Sequence, residues 1–555
     1  MKHIRRAATL AVATALLITG CSANNGATGR SPAGGTSKGG TLTILTAQTL
    51  IDLDPAKSQG LAITSLGLVQ RRLTTWDISP TGPGKVVPDL ATNTGTASVD
   101  GKTWTYTLKD GLKFSDGAPI TSADIKYGIE RSFAAELSGG LGYHKGLLVG
   151  GTDYKGPYSG ADLPSIQTPD AKTIIFHLNR AYGDWPWIAS MPAFAPVPKA
   201  KDKPATYGKS PVASGPYQVE SNQQGTALTL KRNPYWSATS DKVRTAGPDT
   251  IVFEMSHAAS TSAQSLIADS GDARTSFGAI AVPAAQLAQI QQNPGAKARL
   301  ATSEAGPLIY LAMNNQRGAL KDLKVRQAIQ YAVDRKAFII ASGGPNAGIP
   351  ATTLITPGIA GRVAFDLYPA GPSGDVAKAK VLLAEAGHAN DLKLTLLTQN
   401  DTASLAQAQA LQQGIERVGI KVTLKPEDQN SYLADSSGND ATYDLNLAYW
   451  QPDFPSANSN LQPLFATDQI GNGAYNIARY SNPEVDILIE QATGEVDPAK
   501  AQALWAQADK RIMRDAAVVP LSYARQSFLR GSLVQNFFVA SFPAYPNYLV
   551  VSVGK

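Results

Sequence analysis

The sequence predicts an α/β protein of two or three domains behind an export leader. Three observations predict it. The first twenty residues have the make-up of a secretion signal. The remaining chain, about 535 of the 555 residues, is longer than one hydrophobic core supports. Its C-terminal half alternates strand-like and helix-like segments.

The leader carries Lys2, Arg5 and Arg6, followed by an apolar stretch from Ala7 to Ile18 that is too short to span a bilayer. It ends in Ile18-Thr19-Gly20-Cys21, similar to the bacterial lipobox, in which small residues precede a cysteine that becomes the lipidated first residue. Cys21 is the only cysteine, so no intramolecular disulfide can form. Acyl chains on Cys21 are expected to hold the protein to the outer face of the cell membrane, stably where two or more chains are attached. No later segment has the apolar length of a membrane span. Residues 21–40 are small, polar and Gly-rich and read as a flexible tether.

The three leader cations account for part of the 50 basic residues, which leaves 47 against 44 acidic ones. That balance, with no run of five or six basic residues, excludes a dedicated nucleic-acid surface. A composition 43% hydrophobic and 17% charged belongs to a globular chain.

Ordered structure is expected from Thr41, where Leu42-Thr43-Ile44-Leu45 reads as a strand. Residues 103–108 alternate large apolar side chains with Thr, a strand with one buried face, entered by the turn Val99-Asp100-Gly101-Lys102. Thr121-Ser122 caps a helix through Ile125, Ile129 and Phe133, and Thr173–Leu178 is another strand. Val325, Ala328, Ile329, Ala332, Val333 and Ala337 form one helical stripe, with Arg326, Gln330 and Arg335 away from it. A helix over 375–386 stops at Gly387 in the C′ position. Strands at 392–397, 420–424 and 443–449, with a helix over 405–418, give a β-α-β order that implies parallel strands and a right-handed crossover.

Enzyme chemistry finds little support. The histidines, His3, His144, His177, His257 and His388, are far apart; no His-Glu-x-x-His pair exists, and His177 alternates within a strand as a structural residue. No Gly-x-Ser-x-Gly elbow occurs. Gly208-Lys209-Ser210 and Gly95–Thr103 imitate a phosphate loop but have the wrong spacing or lead into a strand, so both read as turns. No catalytic residue, metal site or cofactor is therefore expected. Paired carboxylates that meet only in space stay open.

Seven blocks stand out in order along the chain: Leu53-Asp54-Pro55-Ala56; Val87-Pro88-Asp89-Leu90-Ala91; the long run from Tyr106 to Ser132; Ser214–Tyr217 with Arg232–Trp236; Lys324–Ala328 with Asp334-Arg335; Ala379–Gly387; and Ala478–Asp486. Together they resemble the bacterial extracellular solute-binding proteins of family 5, the oligopeptide and dipeptide class, and follow that family's order. Most of these residues read as scaffold, with Lys324 and Arg326 solvated or paired.

The resemblance implies two lobes that close on a ligand like a flytrap, with an extra domain inserted in the first lobe. The expected map is 41–75, 191–304 and 521–555 for the first lobe, 76–190 for the insert and 305–520 for the second lobe. It also implies a monomer that captures peptides outside the cell and delivers them to the permease of an ABC importer. Asp453, in Trp450-Gln451-Pro452-Asp453-Phe454, matches the family's acid for the peptide amine. Tyr449, Trp450 and Gln451 are expected to line the same wall, with Gln59, Gly60 and Leu61 opposite. Leu447 stands where some relatives carry an Arg for the peptide carboxylate, and the loop Thr398–Asp401 lacks the Arg of dipeptide binders. The ligand is then a longer peptide or a different solute. An oligosaccharide is the main alternative, since Trp450 and nearby tyrosines suit sugar faces, and the few histidines argue against nickel or haem. A lipoprotein hydrolase is the remaining reading, and no nucleophile or metal set supports it.

Overall fold

Three sheets organise the chain in a computed structural model that describes residues 38–389 and 391–554. The leader, Cys21 and the expected tether up to residue 37 lie outside the described residues.

The first sheet runs Ser276–Gly278, Thr41–Leu45, Thr250–Glu254, Ala227–Arg232, Tyr217–Gln223. Thr41–Leu45 lies parallel to both neighbours and sinks Leu42 and Ile44 into the core. Its ladder starts earlier than expected: the Gly39 N–H donates to Gly247 (3.0 Å) and the Gly40 carbonyl accepts from Asp249 (2.9 Å). Gly39 and Gly40, expected in the tether, therefore have their backbone already bound to the sheet.

The chain leaves this sheet after Leu45 and returns at Tyr217, and between them lies the second sheet, Thr96–Ala97, Thr103–Thr107, Thr173–His177, Ile166–Gln167, antiparallel throughout. Trp104, Tyr106, Ile174 and Phe176 alternate inward, as the period of two requires. His177 Nδ1 sits 3.3 Å from Thr103 Oγ1 across the ladder, a structural contact. Helix Ser122–Arg131 opens on a capping box in which Thr121 and Asp124 satisfy each other's backbone.

The third sheet runs Gly348–Pro350, Val518–Ala524, Leu308–Met313, Leu445–Trp450, Lys393–Gln399, Lys421–Glu427. Lys393–Gln399, Lys421–Glu427 and Leu445–Trp450 are parallel and linked through helices Thr402–Glu416 and Gln429–Ser437, each capped by an aspartate, Asp401 and Asp428. The boundary expected at 520/521 falls inside a strand: Val518–Ala524 stays in this sheet because its pairing with Leu308–Met313 continues to Tyr523. The single helix expected through Ala337 is two, Leu323–Ala332 and Arg335–Ala341. The break comes where the Asp334 side chain accepts from the Ala337 N–H and starts a new helix at the cost of the old one. Arg326 and Gln330 are not on a solvated face either; Arg326 donates to the carbonyls of Leu320, Lys321 and Asp515, and Gln330 to that of Val518. Gly387 ends helix Val376–Glu385 at φ 80°, where only a residue without a Cβ is unstrained.

These sheets form the two-lobe α/β fold with an inserted domain. The chain crosses between the first and third sheets on Leu300–Thr302 and Ser527–Leu529, which pair antiparallel as a short ribbon. Two buried ion networks explain why the sequence blocks are there. Asp54 binds Arg131 (2.6 Å), which also holds Asp202 (2.9 Å). Asp89 binds Arg71 (2.7 Å) and Arg244 (3.0 Å), and Arg244 also reaches Asp241 (3.1 Å). Three blocks far apart in sequence thus supply one acid or base each to a shared interior.

Candidate functional site

The strand Leu445–Trp450 positions the site. It keeps a full antiparallel ladder with Leu308–Met313, from Leu445↔Met313 to Trp450↔Leu308. Its parallel pairing with Lys393–Gln399 stops at Asn446, because that neighbour follows Lys421–Glu427 instead as far as Gln399. The last residues, Leu447 to Trp450, therefore have one edge without a strand partner; the Leu447 carbonyl accepts from the Tyr432 hydroxyl (2.9 Å).

Beyond the strand the chain folds back on helix Asn458–Phe465. Ser459, in its first turn, accepts from the Asp453 N–H on Oγ (2.8 Å) and from Trp450 Nε1 on its carbonyl (2.9 Å). One serine thus sets both the acid and the indole. The Tyr143 hydroxyl, from the inserted domain, donates to Asp453 Oδ2 at 2.5 Å. Asp453 Oδ1 has no hydrogen bond among the described residues. Burial pushes the Asp453 carboxyl above the ordinary carboxylate range, and the Tyr143 hydrogen bond offsets this in part. Burial, then the Asp453 charge, hold the Tyr143 hydroxyl protonated far above its usual range, so it remains a donor.

Further contacts join the inserted domain to the second lobe beside this pair. Ser456 donates to Asp184 (2.7 Å), Asn458 Nδ2 to the Tyr182 hydroxyl (3.0 Å), and the Gly183 N–H to the Thr493 carbonyl (2.7 Å). Gly183 is required by this approach: a Cβ there falls 1.8 Å from the Glu495 carbonyl oxygen. Trp187 stacks on Phe454 at 6.4 Å.

Two chambers meet at the aromatic pair Trp450 and Tyr475, whose rings lie 5.3 Å apart. One, of about 260 Å³, is lined by Tyr143, Arg180, Tyr182, Gln462 and Gln469 with that pair. The other, of about 390 Å³, is mainly apolar, with Ile309, Leu433, Leu447 and Ile477. Tyr449 borders the second chamber and is 50% exposed. Its hydroxyl donates to Gln451 Oε1 at 3.2 Å. Leu447 adds to the apolar lining of that chamber.

Gln59, Gly60 and Leu61, expected opposite Asp453, are not in the lining of either chamber. They line a separate cavity of about 480 Å³ in the first lobe, with Gln48, Asp52 and Tyr545. Gln59 Nε2 donates to the Gly139 carbonyl (2.7 Å), four residues before Tyr143, so the inserted domain connects this cavity to the acid. Tyr143, Arg180 and Tyr475 escaped the sequence reading. Arg180 and Tyr475 are isolated loop residues and Tyr143 opens the short helix Tyr143–Leu147, and no periodicity or motif marks any of them.

Among the described residues no helix is long and apolar enough to cross a membrane, and no cluster of His, Cys, Asp and Glu is arranged to hold a metal. Comparison with known proteins agrees with this architecture. The family described as "Bacterial extracellular solute-binding proteins, family 5 Middle" matches residues 85–472. The glutathione-binding protein GsiB of Salmonella paratyphi A is 28% identical over 437 residues, covering 77% of this chain and 78% of that protein. The solved structure of clavulanic acid biosynthesis oligopeptide binding protein 2 superposes with a TM-score of 0.85 at 31% identity, over 94% of this chain and 96% of its own. The unliganded open form of the murein tripeptide binding protein MppA shares the fold, with a TM-score of 0.75 at 22% identity over 93% and 98% of the two chains.

Proposed function

The chain belongs to the bacterial extracellular solute-binding proteins of family 5, the binding components of ABC importers, and from that premise we propose that its ligand is a short peptide held by its free amino terminus. One observation carries the proposal: the Asp453 carboxylate stands beside an unpaired strand edge with one oxygen unspent. A carboxylate so placed complements an α-ammonium, and the free edge of Ala448–Trp450 complements an extended backbone by strand addition. Lobe closure gives the differential affinity that a binding protein needs, since a ligand shifts the open–closed balance only as far as it prefers one state. Relatives named for glutathione, oligopeptide and murein tripeptide binding support the class.

A thermal-shift screen tests it. Tripeptides with free amino termini are expected to raise the melting temperature, at a hundredfold excess over Kd by the equivalent of about 2.7 kcal/mol, and their N-acetylated forms to do nothing. A shift with maltooligosaccharides and none with any peptide overturns the proposal in favour of sugar binding, the reading that the Trp450–Tyr475 pair favours.

The finer part of the proposal concerns the anchor. The protein acts as a monomer outside the cytoplasm, attached through lipid on Cys21. Cys21→Ser is expected to move it from the membrane fraction to the soluble extracytoplasmic fraction, as read by immunoblot; membrane retention of the variant counts against the anchor.

A further inference from the structure

We infer that Arg180 is the ligand's carboxylate anchor, so that the smaller chamber selects guests that carry a negative charge as well as an amine. The inference deepens the peptide reading and rests on it for the ammonium at Asp453.

Among the other arginines, Arg71, Arg131 and Arg244 are buried against carboxylates, Arg299 and Arg326 donate to backbone carbonyls, and the Arg72 side chain is buried in the interior without a hydrogen-bond partner. Arg180 makes no hydrogen bond and no ion pair among the described residues. It nevertheless lines the chamber that Tyr143, Tyr182 and Trp450 enclose, on the inserted-domain side. The backbone around it is held in place. The Asn179 N–H donates to Leu147 (2.9 Å), Asn179 Nδ2 to Gly146 (2.8 Å), and Gly183 is bound to Thr493. A fixed base and an unspent guanidinium are what a planar, bidentate carboxylate site requires.

The chamber's own walls offer no anion to compete. Its polar members are hydroxyls and amides: Tyr143, Tyr182, Gln462 and Gln469. Asp453 faces it only through Tyr143, whose hydroxyl is already committed to it. A zwitterionic guest whose carboxylate meets Arg180 in this chamber reaches Asp453 with its amine past Tyr143, with the apolar chamber across Trp450 and Tyr475 open to an uncharged side chain. Arg180 also borders an outer groove of about 650 Å³ that contains Asp468, Asp486 and Glu490. A role for Arg180 in pairing with those acids during lobe closure is the rival, and it makes a different prediction.

The carboxylate can come from a peptide C-terminus or from an acidic side chain. Isothermal titration separates the two with trialanine, its C-terminal amide, and the amides of Ala-Glu-Ala and Ala-Gln-Ala. Wild-type protein is expected to prefer at least one carboxylate-bearing member of these pairs, and Arg180→Gln to lose about ten- to a hundredfold in affinity for that member alone, the range of a charge-assisted hydrogen bond. Arg180→Lys is expected to recover part of the loss and Arg180→Glu none. Because Arg180 is exposed and unpaired, the variants are expected to keep the wild-type melting temperature. Equal losses for the acid and amide forms assign Arg180 to lobe closure, and no loss leaves it a surface residue; either outcome overturns the inference. Glutarate and its diamide distinguish this failure from failure of the peptide reading. Protein that binds glutarate through Arg180 but no peptide keeps the inference and loses that reading; protein that binds no carboxylate probe loses both.

Discussion

Asp453→Asn is expected to weaken binding of a peptide with a free amino terminus by about 3 kcal/mol or more, two orders of magnitude in Kd. The isosteric amide keeps the Ser459 contact to the backbone and can still accept from Tyr143, so the loss reports the charge and not a rearranged loop. Titration calorimetry with a peptide and its N-acetylated form makes the comparison: the variant is expected to bind the two alike. Equal affinity of wild type and variant for the free peptide would remove Asp453 from the site. The pH dependence has a definite sign. An ammonium needs the ionised acid, and burial raises the pKa of Asp453. Affinity is therefore expected to fall as the pH is lowered through a value above the ordinary carboxylate range, and the Asn variant lacks that limb.

The second large effect is on stability. Asp89→Ala removes the acceptor shared by Arg71 and Arg244 and leaves two fully buried guanidinium groups with less compensation. The expected cost is about 3–5 kcal/mol, read as a first unfolding transition lowered by on the order of ten degrees. Asp110, paired with Lys172 on the open surface, is the control, and Asp110→Asn is expected to leave the transition in place. An Asp89→Ala protein that melts with the wild type shows the network to be dispensable. The same network predicts acid sensitivity. Burial opposes the Asp241 charge, but Arg244 and Arg71 prevail and hold its pKa down to about 2. Its contribution is present above the unfolded value of about 3.9 and is lost as the pH falls towards about 2.

The two effects separate two kinds of residue. Asp54, Asp89 and Arg131 stand in blocks that a reader of the sequence recognises at once, and their work is to hold the interior together. Tyr143 and Arg180 stand in no block, yet they border the chamber beside the acid. Asp453 lies between these cases. Its place after a strand was legible, but its partner was not, because Tyr143 is 310 positions away. The wall expected at Gln59–Leu61 shows the same limit. Its position after the first block was clear, but only packing sends it to a cavity of its own. Helix Leu323–Ala332 was legible as a stripe, whereas the burial of Arg326 on its other side depended on carbonyls supplied from residues 320, 321 and 515.

By itself the sequence determined the family, the alternation of strands and helices and the residue types available for chemistry. These follow from local periodicity, from capping and from motifs that lie within a few residues of one another. Tertiary structure alone decided which side chains meet: that Tyr143 donates to Asp453, that Trp450 and Tyr475 divide two chambers, and that Arg180 borders one of them without a partner. The physical reason is range. Backbone preference acts over a turn of chain, whereas the meeting of Tyr143 with Asp453 joins segments 310 positions apart, and such contacts are written in shape and charge over hundreds of residues.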